Sequence, residues 1–243
     1  MSQGPGSTPD NVPCGTFNRL TAVSTVYDCS DPDSRAAGLT AARTTLKSGR
    51  LAVIPTDTVY GIAADAFDSA AVAALLAAKR RGRDMPVPVL VGSWNTIDGL
   101  VFSVRPQARD LIRAFWPGGL SLVVQQAPSL AWDLGDARGT VMLRMPLHPI
   151  ALELLREVGP MAVSSANVSG QPPAATVAEA RTQLGEQVGV YLDGGQAEHG
   201  VPSTIVDLTG DRPRVLRAGA VTTDRIAEVL GMSPDELATE PTR

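Results

Sequence analysis

Four short polar clusters hold most of the residues in this chain that could do chemistry. Pro55-Thr-Asp-Thr-Val-Tyr-Gly61 puts two hydroxyls and a carboxylate directly after an apolar run. Lys79-Arg-Arg-Gly-Arg83 gathers four cations at the end of an alanine-rich stretch. Ser164-Ser-Ala-Asn-Val-Ser-Gly170 offers hydroxyls and an amide, and Pro202-Ser-Thr-Ile-Val-Asp207 is followed closely by Arg217. Small polar side chains at the ends of apolar strands are what a preformed pocket at the edge of a sheet displays. Each cluster also has a purely structural reading. Thr56 and Asp57 could satisfy turn backbone, the basic run could be a solvated helix end facing the negative dipole terminus, the serine-rich segment could be a plain loop, and Arg217 could be an edge-strand surface residue.

Other chemistries lack their residues. No Gly-Lys pair occurs, which excludes a Walker phosphate loop, and no Gly-x-Ser-x-Gly elbow is present. The chain has 2 His and 2 Cys. Cys14 and Cys29 make no familiar zinc spacing with His148 and His199, and no disulfide framework is possible. A triad would need His148, which precedes Pro149, or His199, in a glycine-rich loop.

The elements that must position these clusters alternate along the chain. A helix is predicted over Ser34 to Ser48, with Leu39, Ala42 and Leu46 on one face and Gly49 ending it. Leu51 to Ile54 reads as a buried strand closed by Pro55. Asp68-Ser69 caps a helix through Ala70 to Lys79, and Val87 to Val91 is a strand with Pro88 marking an edge or irregularity. Pro106 opens a helix carrying Ala108, Leu111, Ile112 and Phe115, and Pro149 opens another. Strands are expected at Leu120 to Val124, Thr140 to Arg144, Met161 to Ser164, Val188 to Leu192, Ser203 to Leu208 and Arg214 to Leu216. Thr176-Val-Ala-Glu179 is a capping box for a further helix. A helix near Thr223 to Leu230 and a second capping pattern at Ser233-Pro-Asp-Glu236 complete the series.

This alternation predicts one α/β domain with a twisted mixed parallel and antiparallel sheet flanked by helices. A flexible extension is expected over 1–22, the domain over 23–232 and a tail over 233–243. The 243 residues are 44% hydrophobic but only 4% aromatic, so the core must be aliphatic and a base-stacking platform is poorly supplied. A net charge of −4 argues against a broad basic face for nucleic acid. The first 25 residues hold no signal-like apolar run, and the longest apolar stretch, Ala70 to Ala78, cannot span a bilayer. A reducing cytoplasm is the expected setting.

Taken together and in this order, the clusters closely resemble the YrdC/Sua5 family of threonylcarbamoyl-AMP synthases. The resemblance covers roughly Ser34 to Val221. Its most specific elements are Lys79-Arg80-Arg81 and Ser165-Ala166-Asn167, joined by the Thr-Asp-Thr-Val-Tyr-Gly block, Arg144-Met-Pro146, Ser203-Thr-Ile-Val-Asp207 and Arg217-Ala-Gly219. It implies a YrdC-like fold of the short, single-domain type. It also implies formation of threonylcarbamoyl-AMP and pyrophosphate from L-threonine, bicarbonate or CO2, and ATP, for tRNA N6-threonylcarbamoyladenosine at position 37.

Carried over by position, the resemblance implies that Thr58 and Ser203 hydrogen-bond threonine, with Ser165 on the same side, and that Arg144 pairs with its carboxylate. Lys79 and Arg81 would be the catalytic cations at the triphosphate, with Thr140, Asn167 and Arg217 lining the nucleotide. Magnesium would arrive with ATP and needs no protein ligand cluster. The product would pass to a tRNA threonylcarbamoyl transferase, with weak tRNA contact and no membrane involved. The pattern departs from the family at Gly82, and also at Met85 and Pro173-Ala-Ala175, the two places where nucleotide contacts would otherwise be expected. Two other readings compete. One is an RNA-binding module of the same fold without synthase activity. The other is a carbamoyl-adenylating domain acting on carbamoyl phosphate.

Overall fold

The computed structural model describes residues 1, 24–197 and 200–237. Its strands are β1 (Thr25–Asp28), β2 (Ala52–Ile54), β3 (Gly61–Asp65), β4 (Val89–Leu90), β5 (Leu120–Gln125), β6 (Thr140–Arg144), β7 (Met161–Ser165), β8 (Val190–Asp193), β9 (Thr204–Asp207) and β10 (Arg214–Arg217). Its α-helices are α1 (Pro32–Lys47), α2 (Ser69–Ala78), α3 (Pro106–Phe115), α4 (Pro149–Val158), α5 (Val177–Leu184), α6 (Thr223–Leu230) and α7 (Pro234–Leu237).

All described strands join one sheet in the order β1-β8-β2-β3-β7-β4-β6-β5-β9-β10. The pairs β1/β8, β2/β8, β4/β6 and β5/β9 are parallel, and β2/β3, β3/β7, β4/β7, β5/β6 and β9/β10 are antiparallel. The expected mixed sheet is therefore present. Alternation along the central strands sends side chains to two separate cores. Val53, Ile62, Ala64 and Ala162 pack with residues of α2, α3, α5 and α6, such as Leu75, Leu111, Leu184 and Ile226. Ala52, Ile54, Ala63, Met161 and Val163 pack against Leu39, Leu46, Leu154 and Leu155 of α1 and α4. The sheet is thus the middle of three layers, and polar residues at its strand ends are left facing out of the packing.

Local signals explain the helix ends. Asp31 and Asp68 accept backbone N–H groups at the starts of α1 and α2, while Pro106 and Pro149 occupy first-turn positions of α3 and α4. Thr176 Oγ1 accepts from Glu179 N at 3.2 Å, as the capping box predicts, and Glu179 Oε2 reaches back to Ala175 N at 2.7 Å, one residue before the N-cap amide such a box uses.

Two strands escaped the sequence reading. β1 is a mostly exposed edge strand, and β3 is a glycine- and alanine-rich strand buried on both faces. The second capping pattern does start α7, where Glu236 Oε2 accepts from Ser233 N at 2.8 Å. Leu237 is fully buried in the larger core, so packing continues beyond the boundary drawn at residue 232. The extension at 2–22, the tail from 238 onward, Cys14 and His199 lie outside the described residues.

Candidate active site

The clusters converge on one concave cleft, the kind of place where small-molecule sites occur. Five strand ends and one helix end supply its polar lining. The turn after β2 brings Thr58, the end of β6 brings Arg144, the end of β7 brings Ser164 and Ser165, and the β9 and β10 ends bring Ser203 and Arg217. Arg81 enters from the segment after α2.

The turn between β2 and β3 is wired from within. Thr56 Oγ1 donates to Val59 O at 2.6 Å, and the Thr56 and Thr58 hydroxyls are 3.1 Å apart. Arg144 is buried and locked on three sides: Nε donates to Gly118 O at 2.9 Å, Nη1 to Thr58 Oγ1 at 2.9 Å and Nη2 to Asp57 Oδ1 at 2.6 Å. Guanidinium carries five N–H groups, so hydrogens remain for a ligand carboxylate.

Arg217 reaches the cleft through a register shift in β10 between Val215 and Arg217, an irregularity that re-aims a side chain. Its Nη2 donates to Ser203 O at 2.8 Å and to Ser203 Oγ at 3.2 Å. The close approach of the two segments depends on Gly219, where a Cβ would sit 2.6 Å from the Ser203 carbonyl carbon. Arg81 is spread across its own loop and β7: Nε donates to Met85 O at 2.8 Å, Nη2 to Pro86 O at 3.1 Å and Nη1 to Ser164 Oγ at 3.1 Å.

The cleft is cationic in an uneven way. Burial lowers the pKa of Arg81, Arg144 and Arg217; at Arg81 the charge of Asp84 and at Arg144 that of Asp57 oppose the shift, and the charge of Arg217 adds to it at both. All three remain charged at neutral pH, since arginine starts above 12. Arg144 is neutralised by Asp57. Among the described residues neither Arg81 nor Arg217 has a carboxylate within ion-pair distance. Net positive charge therefore faces one part of the cleft, and a neutral ion pair backs another.

The structure separates the remaining candidates from this lining. Lys79 is only 2% exposed. Its Nζ donates to Asn167 O at 2.7 Å and to Ser165 O, and lies 3.4 Å from Asn167 Oδ1. Convergent loop carbonyls draw this ammonium inward, where the sequence reading set it at a triphosphate. Burial and the charge of Arg81 push its pKa down to about 8. Asn167 is equally committed: its Nδ2 donates to Val168 O at 2.9 Å and Gln171 O at 2.7 Å. Thr140 lies beside a neighbouring pocket and donates to Ala137 O at 2.7 Å. The solvated-terminus reading of the basic run fits Arg80, which is exposed, and Arg83, which pairs with Asp133 at 2.8 Å.

At the departures, Met85 is exposed and contributes its carbonyl to Arg81, Pro173 lines the cleft, and Ala174 is buried with its carbonyl accepting from Tyr60 N at 3.3 Å. Thr176 spends its hydroxyl on the α5 cap. His148 stands at the start of α4 outside the lining. Burial raises the Cys29 thiol to about 11, which keeps it protonated and unreactive at neutral pH.

Sequence reasoning missed Ser121. It lies on β5, is buried, lines the cleft and places its Oγ 2.8 Å from Ser203 Oγ. A lone serine in the apolar run Leu120-Ser-Leu-Val-Val was the available signal. No described helix is long and apolar enough to cross a membrane.

Comparison with known proteins agrees with this geometry. Residues 44–219 match the Sua5_yciO_yrdC family, described as "Telomere recombination". A Mycobacterium tuberculosis protein is 67% identical over 215 residues, 88% of this chain and 99% of its own. The Bacillus subtilis threonylcarbamoyl-AMP synthase is 35% identical over 188 residues, 76% of this chain and 54% of its own length. The crystal structure of Pyrococcus abyssi Sua5 complexed with L-threonine superposes with a TM-score of 0.81 at 30% identity, covering 90% of this chain. This chain spans 63% of that longer protein. On the family match over most of its length and the relative at 67% identity, the chain belongs to the Sua5/YciO/YrdC family.

Proposed function

We propose that this chain is a threonylcarbamoyl-AMP synthase, a nucleotidyltransferase of tRNA modification that forms threonylcarbamoyl-AMP and pyrophosphate from ATP, L-threonine and bicarbonate or CO2. The observation that carries the reading is the division of charge in one cleft. Arg81 and Arg217 have no carboxylate within ion-pair distance among the described residues, although Asp84 acts on Arg81 from farther off, while Arg144 is paired with Asp57 beside the Thr58 hydroxyl. A polyphosphate suits the first part, and a zwitterionic amino acid suits the second.

In this reading threonine lies against Thr58, Arg144, Ser165 and Ser203, with its amine toward the cleft centre. The amine adds to CO2 and loses a proton to form a carbamate. A carbamate oxygen then attacks the α-phosphorus as the bond to pyrophosphate breaks. Arg81 and Arg217 hold the negative charge that gathers on the phosphoryl and leaving oxygens, so the protein works by position and charge without a nucleophile of its own. Asn167 shapes the loop beside the nucleotide without lining the cleft, and Thr140 lies in the adjoining pocket wall.

Magnesium fits as a companion of ATP: among the described residues no carboxylate lines the cleft, so its ligands would be phosphate oxygens and water. Bound so, it would neutralise phosphate charge. The product passes to a tRNA threonylcarbamoyl transferase, with at most weak tRNA contact, in the cytoplasm. A concave cleft with two arginines at one part suits a small polyanion better than a strand of RNA, which favours the synthase over the RNA-binding alternative.

The test is pyrophosphate release by purified protein. We expect release that requires threonine, bicarbonate and ATP together. ATP turnover without threonine dependence, or dependence on carbamoyl phosphate in place of threonine, would sink the assignment.

A further inference from the structure

We propose that Lys79 is a positioning residue: its ammonium holds the loop of residues 165–169 in the shape that presents Ser165 to the cleft, and it does not touch the nucleotide. The role of that loop in nucleotide binding rests on the synthase reading, whereas the clamp itself does not.

Lys79 grips the loop twice. Its side chain donates to the carbonyls of Ser165 and Asn167 and approaches Asn167 Oδ1. Its own carbonyl accepts from Ser169 N at 2.8 Å. An ammonium has three hydrogens, and these three acceptors take them all. Lys79 is absent from the cleft lining, whereas Arg81, two residues on, is part of it.

The backbone explains how neighbours reach opposite sides. Lys79 is the C-cap of α2, and Arg80 follows with φ 51, in the left-handed region. That residue turns the chain between an inward lysine and a cleft-facing arginine. Arg81 then contacts Ser164, the residue just before Ser165 at the end of β7 from which the loop departs. The pair of motifs is thus a two-part device, with Lys79 and Asn167 as an internal clamp and Arg81 and Ser165 as the working face.

Removing the ammonium takes the side-chain donor from the Asn167 carbonyl and leaves the Ser165 carbonyl with only Asn167 N, a penalty that loosens the loop. The experiment uses full-length Lys79→Met and Lys79→Arg, with amide hydrogen exchange across 165–169 and equilibrium binding of ATP and AMP. We expect exchange over 165–169 to accelerate at least roughly tenfold while β3 and α1 are unchanged. ATP and AMP affinities should fall by the same factor, within about twofold, since no phosphate contact is lost.

Lys79→Arg keeps the charge but cannot meet three acceptors grouped around one point, so it should loosen the loop as well. It also serves if the methionine variant does not fold. Wild-type protection of the loop in either folded variant overturns the proposal. A loss of ATP affinity at least about tenfold greater than that of AMP overturns it whatever the loop does. If the wild type binds neither nucleotide, the synthase reading fails and the exchange measurement still decides the clamp.

Discussion

Asp57 Oδ1 accepts from Arg144 Nη2 at 2.6 Å and from Leu147 N at 2.9 Å, so one carboxylate oxygen ties the turn after β2 to the end of β6. Both side chains are nearly buried, at 8% exposed for Arg144 and 11% for Asp57. Such a pair fixes geometry more than it adds net stability, but stripping one partner leaves a buried charge. Asp57→Ala should destabilise the fold by about 3 kcal/mol in urea denaturation. Asp57→Asn retains an acceptor for Leu147 N and should fold better while raising KM for threonine, because Arg144 is no longer held in register. An unchanged threonine KM in a folded Asp57→Asn protein would remove Asp57 from the site.

Arg81 and Arg217 give a test of the charge division. Each is fixed by carbonyl and hydroxyl acceptors, so its charge remains available to a ligand. Arg81→Ala or Arg217→Ala should weaken ATP binding by roughly 10- to 100-fold, the usual worth of a hydrogen bond to a charged group. Threonine binding should change much less. Isothermal titration with each ligand separately checks this, and an equal loss for both ligands would contradict the division.

Gly219 is the structural condition for Arg217 to meet Ser203. An added Cβ would press on the Ser203 backbone at 2.6 Å, and backbone cannot swing aside as a side-chain tip can. Gly219→Ala should cost roughly 1–3 kcal/mol, as overpacking does, and should raise the KM for ATP with it. Thermal unfolding and the nucleotide KM together check the claim. Gly139, by contrast, has open space around its would-be Cβ, and its substitution strains only its own positive φ.

How much of this was legible varied with the kind of signal. Helices α1, α3 and α4 carried their own period, caps and prolines, and the strands feeding the cleft were apolar runs with polar ends. β3 was missed because Gly61-Ile-Ala-Ala-Asp65 is buried on both faces, so its pattern does not alternate. Within the site, residue types were visible but partnerships were not. Ser121 meets Ser203 only because β5 pairs with β9 in a register that sets Leu120 opposite Thr204. Lys79 and Arg81 look alike in sequence, and a single left-handed residue between them sends one inward and the other into the cleft.

That left-handed residue makes a stability prediction of its own. Arg80 is exposed and lies outside the cleft lining, yet it occupies the position after a helix C-cap where glycine is favoured. A residue with a Cβ pays roughly 1–2 kcal/mol there. Arg80→Gly should therefore raise stability by about 1 kcal/mol after the added freedom of the unfolded chain is counted, with pyrophosphate release little changed. A lower melting temperature would show that the arginine makes a contact that outweighs its backbone strain.

The pH dependence of stability tests the burial of Lys79 directly. Its pKa is lowered from 10.5 in the unfolded chain to about 8 in the fold, first by burial and then by the charge of Arg81. Between those two values the unfolded chain binds more protons than the folded one, so stability contributed at this site rises with pH. Below about pH 8 the cost of keeping the ammonium buried is fully present, and above 10.5 no further change accrues. Lys79→Met lacks this titration. Subtracting its urea-denaturation free energy from that of the wild type, at a series of pH values from 7 to about 10, should give a difference that climbs through the upper half of the series. A difference that falls there would mean that the loop carbonyls favour the charged form more than burial opposes it, raising the folded pKa above its ordinary value.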